Sequence, residues 1–425
     1  MALVGLLLSI SYAQSDETLS SSRLVVSEAV AIALRDNPNL AEMQSRYAAM
    51  NEIPSQMGTL PDPMISLGAM NFPTDTFDRA QEPMTQLQLG ISQAIPFPGK
   101  LALRREAAEH EAKAAGHSVE EVRLRLVRQV KHQWWQLYYM DRALETVERN
   151  KALLNQFIEV AKTKYETGKG LQQDVLLAQL ELSKLIDQTI QLEAIRQQQA
   201  IRLNTLMDQP PGTVLVLPGT VDTKTPELAS SEVLFATAEN ARPVLRQLAT
   251  KIDAANARFS LAKRDRYPDF NVGVVYGERT GSNPLPRGGA RSDFLSLMVG
   301  VKVPLYAGRK QSKAISQRRL EVQTRRYALL DQRGLVFSAI ETAVTDYHRA
   351  KQQLILFQTG IVPQAEQTVQ SMLSGYQVSE VDFLNLVRSQ MTLFNYELQY
   401  WKSLSEAKQA LAQLEAAVGQ EAIYE

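Results

Sequence analysis

Residues 165–179 read YETGKGLQQDVLLAQ, and residues 376–390 read YQVSEVDFLNLVRSQ. Both stretches begin on Tyr, place Asp174 or Asn385 tenth and a small residue (Ala178, Ser389) fourteenth, and close on Gln. Other landmarks recur at a similar offset of about 205 to 211 residues. Asn37-Pro38 matches Arg242-Pro243, Pro61-Asp62 matches Pro268-Asp269, Gly90 matches Gly300, and IPFPGK (95–100) answers VPLYAGRK (303–310). Ordered landmarks at one spacing mark an internal duplication, which constrains the fold before any single element is assigned. The Pro-, Gly- and Thr-rich stretch 208–232 reads as the connector between the copies, with one short strand.

Each copy runs helix, strand, strand, very long helix, turn, helix. Ser27 is placed to cap the first helix, with Val30, Ala33, Leu34, Met43, Tyr47 and Met50 at helical spacing; Pro61 and Pro63 stop it. The first copy spans 24–207, with strands 63–72 and 84–95, a long helix 98–166, a turn 167–171 and a return helix 172–207. The second spans 233–418, with strands 269–279 and 293–304, a long helix 308–377, a turn 378–381 and a return helix 382–418; residues 419–425 form a tail. Between Gly99 and Thr167 the one breaker is Gly116, and from Lys310 to Ser374 the breakers are Gly334, Gly360 and Pro363. Helices of nearly 70 residues are about 100 Å long, against a usual length of roughly 11–12 residues.

The strands alternate. Leu87, Leu89, Ile91 and Ile95 share one face, with Gln86, Gln88, Gly90, Ser92 and Ala94 on the other. Leu295, Leu297, Val299, Val301 and Val303 repeat the pattern, opposite Phe294, Ser296, Met298, Gly300 and Lys302. At about ten residues each, tilted strands of this kind cross a bilayer. Four strands cannot close around a lumen, and an open edge in hydrocarbon strands backbone groups at several kcal/mol each. The expected remedy is to borrow strands from identical neighbours, so that the chain is an oligomer; three chains would give twelve strands, enough for a water-filled pore. The rods then pack as coiled coil around the same axis.

The duplicated strand–strand–long-helix plan and the paired turns resemble the TolC-like outer-membrane efflux family. So do ISQAIPFPGKLALR with its echo VGVKVPLYAGRK, and PDP before the first strand. The resemblance covers nearly all the chain after residue 24. It implies a mostly α protein with transmembrane β-strands: a tandem-repeat protomer whose trimer forms a 12-stranded β-barrel and a periplasmic α-helical coiled-coil barrel. It also implies an outer-membrane location with a large periplasmic extension. The partners implied are a periplasmic membrane-fusion adaptor and an inner-membrane pump of the RND type. SQAIPFPGKL looks most like the heavy-metal cation branch; a drug, organic-compound or type I secretion channel of the same architecture is the alternative.

In that family the two turns form the periplasmic tip, where the channel narrows and adaptor hairpins touch. The matching residues are Tyr165, Gly168 and Asp174 in the first turn, and Tyr376, Ser379 and Asn385 in the second. Members commonly carry aspartates where this chain has Asn385 and Arg388, so an acidic ring there is not expected from those two positions. Glu380 and Asp382 lie beside them, and Arg388 is a candidate partner for Asp174 or Asp382 in holding the tip shut.

Composition supports a passive duct. Lys plus Arg equals Asp plus Glu at 46 each, so no net field recruits nucleic acid. With no cysteine and only four histidines, thiolate metal sites and cysteine nucleophiles are excluded, and no catalytic constellation or cofactor motif is found. The apolar run ALVGLLLSISYA ending in Ser11-x-Ala13 reads as a signal peptide over 1–13. Met43, Met50 and Met57 recur every seventh residue, followed by Met64, Met70 and Met84. This stripe reads as packing before it reads as a soft-metal path. His110 and His117 with Glu106 and Glu121 read as a solvated helix face, and Trp134, Trp135, Tyr138 and Tyr139 as a packing cluster against the connector. A soluble coiled-coil scaffold is the reading of another class, and strand alternation counts against it.

Overall fold

The computed structural model describes residues 23–420 and 423. The signal-peptide expectation lies outside the described residues. Among those described, no helix is long and apolar enough to cross a membrane.

The opening helical segment is divided by proline into α1 (Val26–Asp36), α2 (Pro38–Asn51) and α3 (Ile53–Gly58). Asn37, not Ser27, supplies the cap that can be identified. Its side-chain oxygen accepts from the amides of Asn39 and Leu40 at 3.1 and 3.2 Å, with Pro38 in the first helical position, where no N–H is needed. Ser27 lies inside the first turn of α1.

Strands β1 (Met64–Met70) and β2 (Gln86–Ile95) precede α4 (Lys100–Glu166), which runs 67 residues without interruption. The chain returns along α5 (Gln172–Leu206). The connector that follows is extended, and no strand forms within its described residues. Asn204 is instead fully buried and donates to the carbonyls of Pro211 and Thr213, fixing the connector by a side chain rather than by strand pairing.

The second copy adds α6 (Ser231–Ala241), α7 (Pro243–Arg264), β3 (Asp269–Glu278) and β4 (Phe294–Lys302). Its long helix differs from the single rod expected over 308–377. It is divided into α8 (Gln311–Leu356), a π turn (Phe357–Ile361) and α9 (Val362–Gln377), before α10 (Phe383–Val418) returns. Pro363 has no N–H to continue the ladder, and the amide of Val362 reaches back five residues to Phe357.

Contacts gather the chain into two units, each built from both copies. One centres on Gln129–Thr225 with Ala350–Lys408, the other on Asp36–Arg128 with Pro226–Arg349. In the first, Trp134, Trp135 and Tyr138 are buried, with Trp134 stacked on Tyr138. The Trp134 indole donates to Leu24 O at 2.9 Å, and Leu24 N–H donates to Val216 in the connector at 2.8 Å. The aromatic cluster is thus a structural core.

In the second unit the strands form one antiparallel sheet, ordered β1-β2-β3-β4, with β1 and β4 at its edges. The register makes its two faces unlike. Rows Ile65–Ile91–Val274–Leu297 and Leu67–Leu89–Tyr276–Leu295 share one face. Rows Ser66–Gly90–Val275–Ser296 and Met64–Ser92–Gly273–Met298 share the other. The aliphatic face is not covered by protein: Leu67 is 83% exposed, Leu297 77%, and Ile65 and Leu295 70% each. Met57, Met64, Met70 and Met84 are also exposed, so they do not fill a core within the protomer. Glu121, considered beside His117, is engaged by Arg242 at 2.7 Å. Burial, followed by the nearby Arg246 and Lys113 cations, lowers the pKa of His117.

Candidate functional site

The two helical turns close with the same hydrogen bonds. In the first, Gly168 N–H donates to Tyr165 O at 3.0 Å and Lys169 N–H to Lys164 O at 2.8 Å. In the second, Ser379 N–H donates to Tyr376 O at 3.1 Å and Glu380 N–H to Gly375 O at 2.9 Å. Asp174 and Asn385 each donate N–H three residues back, to Leu171 and Asp382, both at 3.1 Å. This is the left-handed helix stop, in which one residue takes positive φ so that later amides can reach the last carbonyls. Gly168 takes φ +72° and Ser379 takes φ +63°.

A second close approach is met in opposite ways. A side chain at Gly170 would bring its Cβ within 2.9 Å of Lys164 Cβ, and one at Gly375 would lie 2.6 Å from Val381 Cγ2. Gly170 occupies the place of Val381, and Lys164 the place of Gly375. Each turn therefore keeps one glycine in the pair, on the loop side in the first and on the helix side in the second.

Lys164 joins the two turns. Its ammonium donates to Tyr376 O and, at 3.1 Å, to Ser379 Oγ, and it lies 4.3 Å from the centre of the Tyr376 ring. That ring is buried against Phe383, with centroids 5.1 Å apart. Behind it lies an apolar core including Leu154, Phe157, Leu185, Leu386 and Phe394. Each of these large side chains contributes about 1.5–3 kcal/mol by burial.

Burial, then the neighbouring Asp174 charge, pushes the Tyr376 phenol up to about 12. Burial raises the Asp174 carboxyl above its ordinary value, the Asp382 charge adds to this, and Lys164 works against it. Asn385, Arg388, Glu380 and Asp382 are exposed, as are Tyr165, Gly168 and Ser379. Within the protomer, Arg388 forms no ion pair with Asp174 or Asp382, and its side chain stays open to solvent.

Sequence reading alone did not single out Lys164, Gly170 or Gly375. The signal was available: the residue before each motif tyrosine is Lys in one copy and Gly in the other, and the loop glycine moves with it. No group of three or more His, Asp or Glu suited to a metal ion occurs among the described residues.

The pattern of the family described as "Outer membrane efflux protein" matches residues 29–209 and 234–420, one stretch on each side of the connector. The outer membrane protein TolC of Vibrio cholerae is 24% identical over 406 residues, covering 90% of this chain and 89% of that protein. Among solved structures, CusC superposes with TM-score 0.79 at 15% identity, over 93% of this chain and 92% of that one. The outer membrane protein VceC of Vibrio cholerae superposes with TM-score 0.76 at 18% identity, over 93% and 96%. These likenesses establish the tandem strand–strand–helix–helix fold. The family match over most of the length sets aside the soluble-scaffold reading. The chain belongs to the outer membrane efflux protein family, as an outer-membrane channel protein with a periplasmic extension.

Proposed function

We propose that three copies of this chain form the passive exit duct of a tripartite efflux system. The observation that carries it is the uncovered sheet: an aliphatic belt on one face, Ser, Gly and Gln mixed with Met64, Val275 and Met298 on the other, and both edges open. In water such a belt is a liability, and in hydrocarbon the open edges are costlier still. Closure by identical neighbours resolves both, giving lipid outside and solvent within. Four strands per copy give twelve in the ring.

The paired turns are the proposed periplasmic tip. Tyr165, Gly168, Tyr376 and Ser379 shape the surface that meets a membrane-fusion adaptor. Asp174, Asn385, Arg388, Glu380 and Asp382 set the charge of the aperture, and an RND-type pump supplies the drive. The proposed cargo is heavy-metal cations, on the strength of SQAIPFPGKL (92–101). Export of organic compounds is the second reading, favoured by neutral Asn385 and exposed, cationic Arg388 where an acidic ring would attract cations.

Growth of a deletion strain on copper, silver, zinc, cobalt and cadmium, beside several drugs, separates these two. Sensitivity confined to metals supports the first and sensitivity confined to drugs supports the second. Outer-membrane fractions should contain a heat-modifiable trimer, and a monomer there would remove the duct. Arg388→Ala is expected to raise single-channel conductance or admit large antibiotics. No change in either takes Arg388 out of the gate.

A further inference from the structure

The seam between the two copies inside one chain is a template for the seam between chains. Where β2 meets β3, Asp269 accepts from Phe97 N–H at 2.9 Å and from Lys100 Nζ at 2.8 Å. Lys100 is 3% exposed, and it also reaches Asp265 at 3.4 Å and Tyr267 O at 3.1 Å. Phe97 stacks on Tyr267, with centroids 4.6 Å apart. The loop leaving one hairpin is thus clamped to the first residues of the next.

The hairpins superpose by their own registers. Aligned on Pro61-Asp62 and Pro268-Asp269, Met64 falls on Asn271 and its partner Ser92 on Gly300, so that Ile95-Pro96 falls on Val303-Pro304, and Gly90 falls on Met298 and not on Gly300 as the sequence pattern suggested. The free edges repeat the parts of the seam. Asp62 occupies the place of Asp269, and Leu60 that of Tyr267. Leu305 occupies that of Phe97, and Lys310, just before α8, that of Lys100. All four are exposed in the protomer, Leu305 at 82% and Leu60 at 46%. Neither Asp62 nor Lys310 has an ion-pair partner among the described residues.

We infer that β4 of one chain pairs antiparallel with β1 of a second chain in the register of the β2–β3 seam, clamped by Lys310 of the first chain and Asp62 of the second. Gln93 faces Val272 and Ile91 faces Val274 within the chain. Across copies Val301 therefore faces Ile65, and Val299 faces Leu67. All four belong to the aliphatic face, so the belt continues around the ring without a break. The copy-to-copy clamp is the simpler one, because Gly58 stands where Asp265 gives Lys100 a second carboxylate. The loop is also two residues longer after β4, and Leu305 N–H turns back to Val303 O at 3.0 Å. The ring should open here before it opens at β2–β3.

This inference rests on the trimeric duct, and its test separates the two. The chain has no cysteine, so Val301→Cys with Ile65→Cys introduces the sole pair. Three strand spacings, about 14 Å, and four residues along the strand separate those positions within one sheet. A disulfide needs Cα atoms within about 7 Å, so any bond formed must join copies. Oxidation of membranes is expected to yield a covalent trimer that survives boiling, whereas Val303→Cys with Ile65→Cys, two residues out of register, yields little. Asp62→Lys and Lys310→Asp should each lower the temperature at which the trimer dissociates, and the double exchange should restore it. Native mass spectrometry reads the assembly independently. An intact trimer that links only in the shifted register, or not at all, overturns the seam and leaves the duct standing. A double exchange no better than the single variants overturns the Lys310–Asp62 pair. Monomers alone in the membrane overturn the duct and the seam with it.

Discussion

At the first turn, Tyr165 is 48% exposed and Leu176 57%; at the matching places in the second, Tyr376 is 4% exposed and Val387 3%. The backbones are the same, so the difference comes from the return helices. Where α10 carries Phe383 and Phe394, both buried, α5 carries Gln172 and Ser183. The second turn therefore sits over an apolar core, while the first lies at its margin with Leu171, Leu176 and Leu180 exposed. Duplication preserved the hydrogen-bond pattern of the turn and left each copy free to change its surroundings. The turn of one copy is packed over a core, and that of the other is exposed.

Lys164 makes the sharpest asymmetry, because it belongs to the first turn and secures the second. Hydrogen bonds from a charged donor are worth about 1.5–3 kcal/mol, discounted here because the ammonium is only part-buried. Lys164→Met is expected to loosen the second turn by about 1.5 kcal/mol, roughly a tenfold change in local opening. Amide exchange should quicken at Ser379 and Glu380 and stay as it was at Gly168 and Lys169. Equal change at both turns would mean that the lysine merely stabilises the whole bundle.

The glycines come next. A methyl group at Gly170 meets the Lys164 backbone carbonyl carbon and Tyr165 N at 3.1 Å, atoms that cannot rotate away. At Gly375 it meets a Val381 methyl, which can turn or be removed. Gly170→Ala should cost about 1–3 kcal/mol by overpacking, and Gly375→Ala less. Gly375→Ala with Val381→Gly, which moves the glycine to the loop side as in the first turn, should recover stability in thermal melts. Failure of that exchange to recover anything would show that the two turns are not interchangeable solutions to one contact.

The shared geometry of the two turns was legible in the sequence. Tyr165 and Tyr376, Gly168 and Ser379, and Asp174 and Asn385 could be aligned because a helix stop demands particular residues at fixed spacing. The strand faces were legible because alternation has a period of two. The Lys164 contact was not, since its main acceptor is a backbone carbonyl, which leaves no trace in side-chain identity. The burial of Tyr376 against the exposure of Tyr165 was also hidden, because both hold the same local position and packing against other helices decides the outcome. The π turn at Phe357–Ile361 was half visible: Gly360 and Pro363 marked a weak point without saying that the helix would widen rather than end.

Ser379 is the place where the second turn departs from the better backbone choice. A non-glycine residue at φ +63° is strained by about 1 kcal/mol relative to glycine. Its hydroxyl, however, receives the Lys164 ammonium at 3.1 Å. Ser379→Gly should therefore be close to neutral in the native background and stabilise by about 1 kcal/mol once Lys164→Met has removed the donor. Gly168→Ser, with no lysine waiting for it, should destabilise the first turn by about 1 kcal/mol. Additive effects across the Ser379–Lys164 cycle would show that hydrogen bond to be energetically silent.

The smallest effect, and the most specific signature, belongs to the paired tyrosines. Tyr376 keeps its hydroxyl buried without a hydrogen-bond partner among the described residues, and burial with the nearby Asp174 charge pushes its ionisation up to about 12. Burial raises this pKa by penalising the tyrosinate, so the phenol costs no charge while protonated below its ordinary value of about 10, and stability falls as pH rises from there through the folded value. Tyr376→Phe should thus be neutral to slightly stabilising at pH 7, because an unsatisfied polar group is removed. In an alkaline absorbance titration of the intact trimer it should delete a tyrosinate appearing near pH 12. Tyr165→Phe should leave that late step untouched. If Tyr376→Phe also left it unchanged, the second turn would be as wet as the first, and the asymmetry between the copies would not survive assembly.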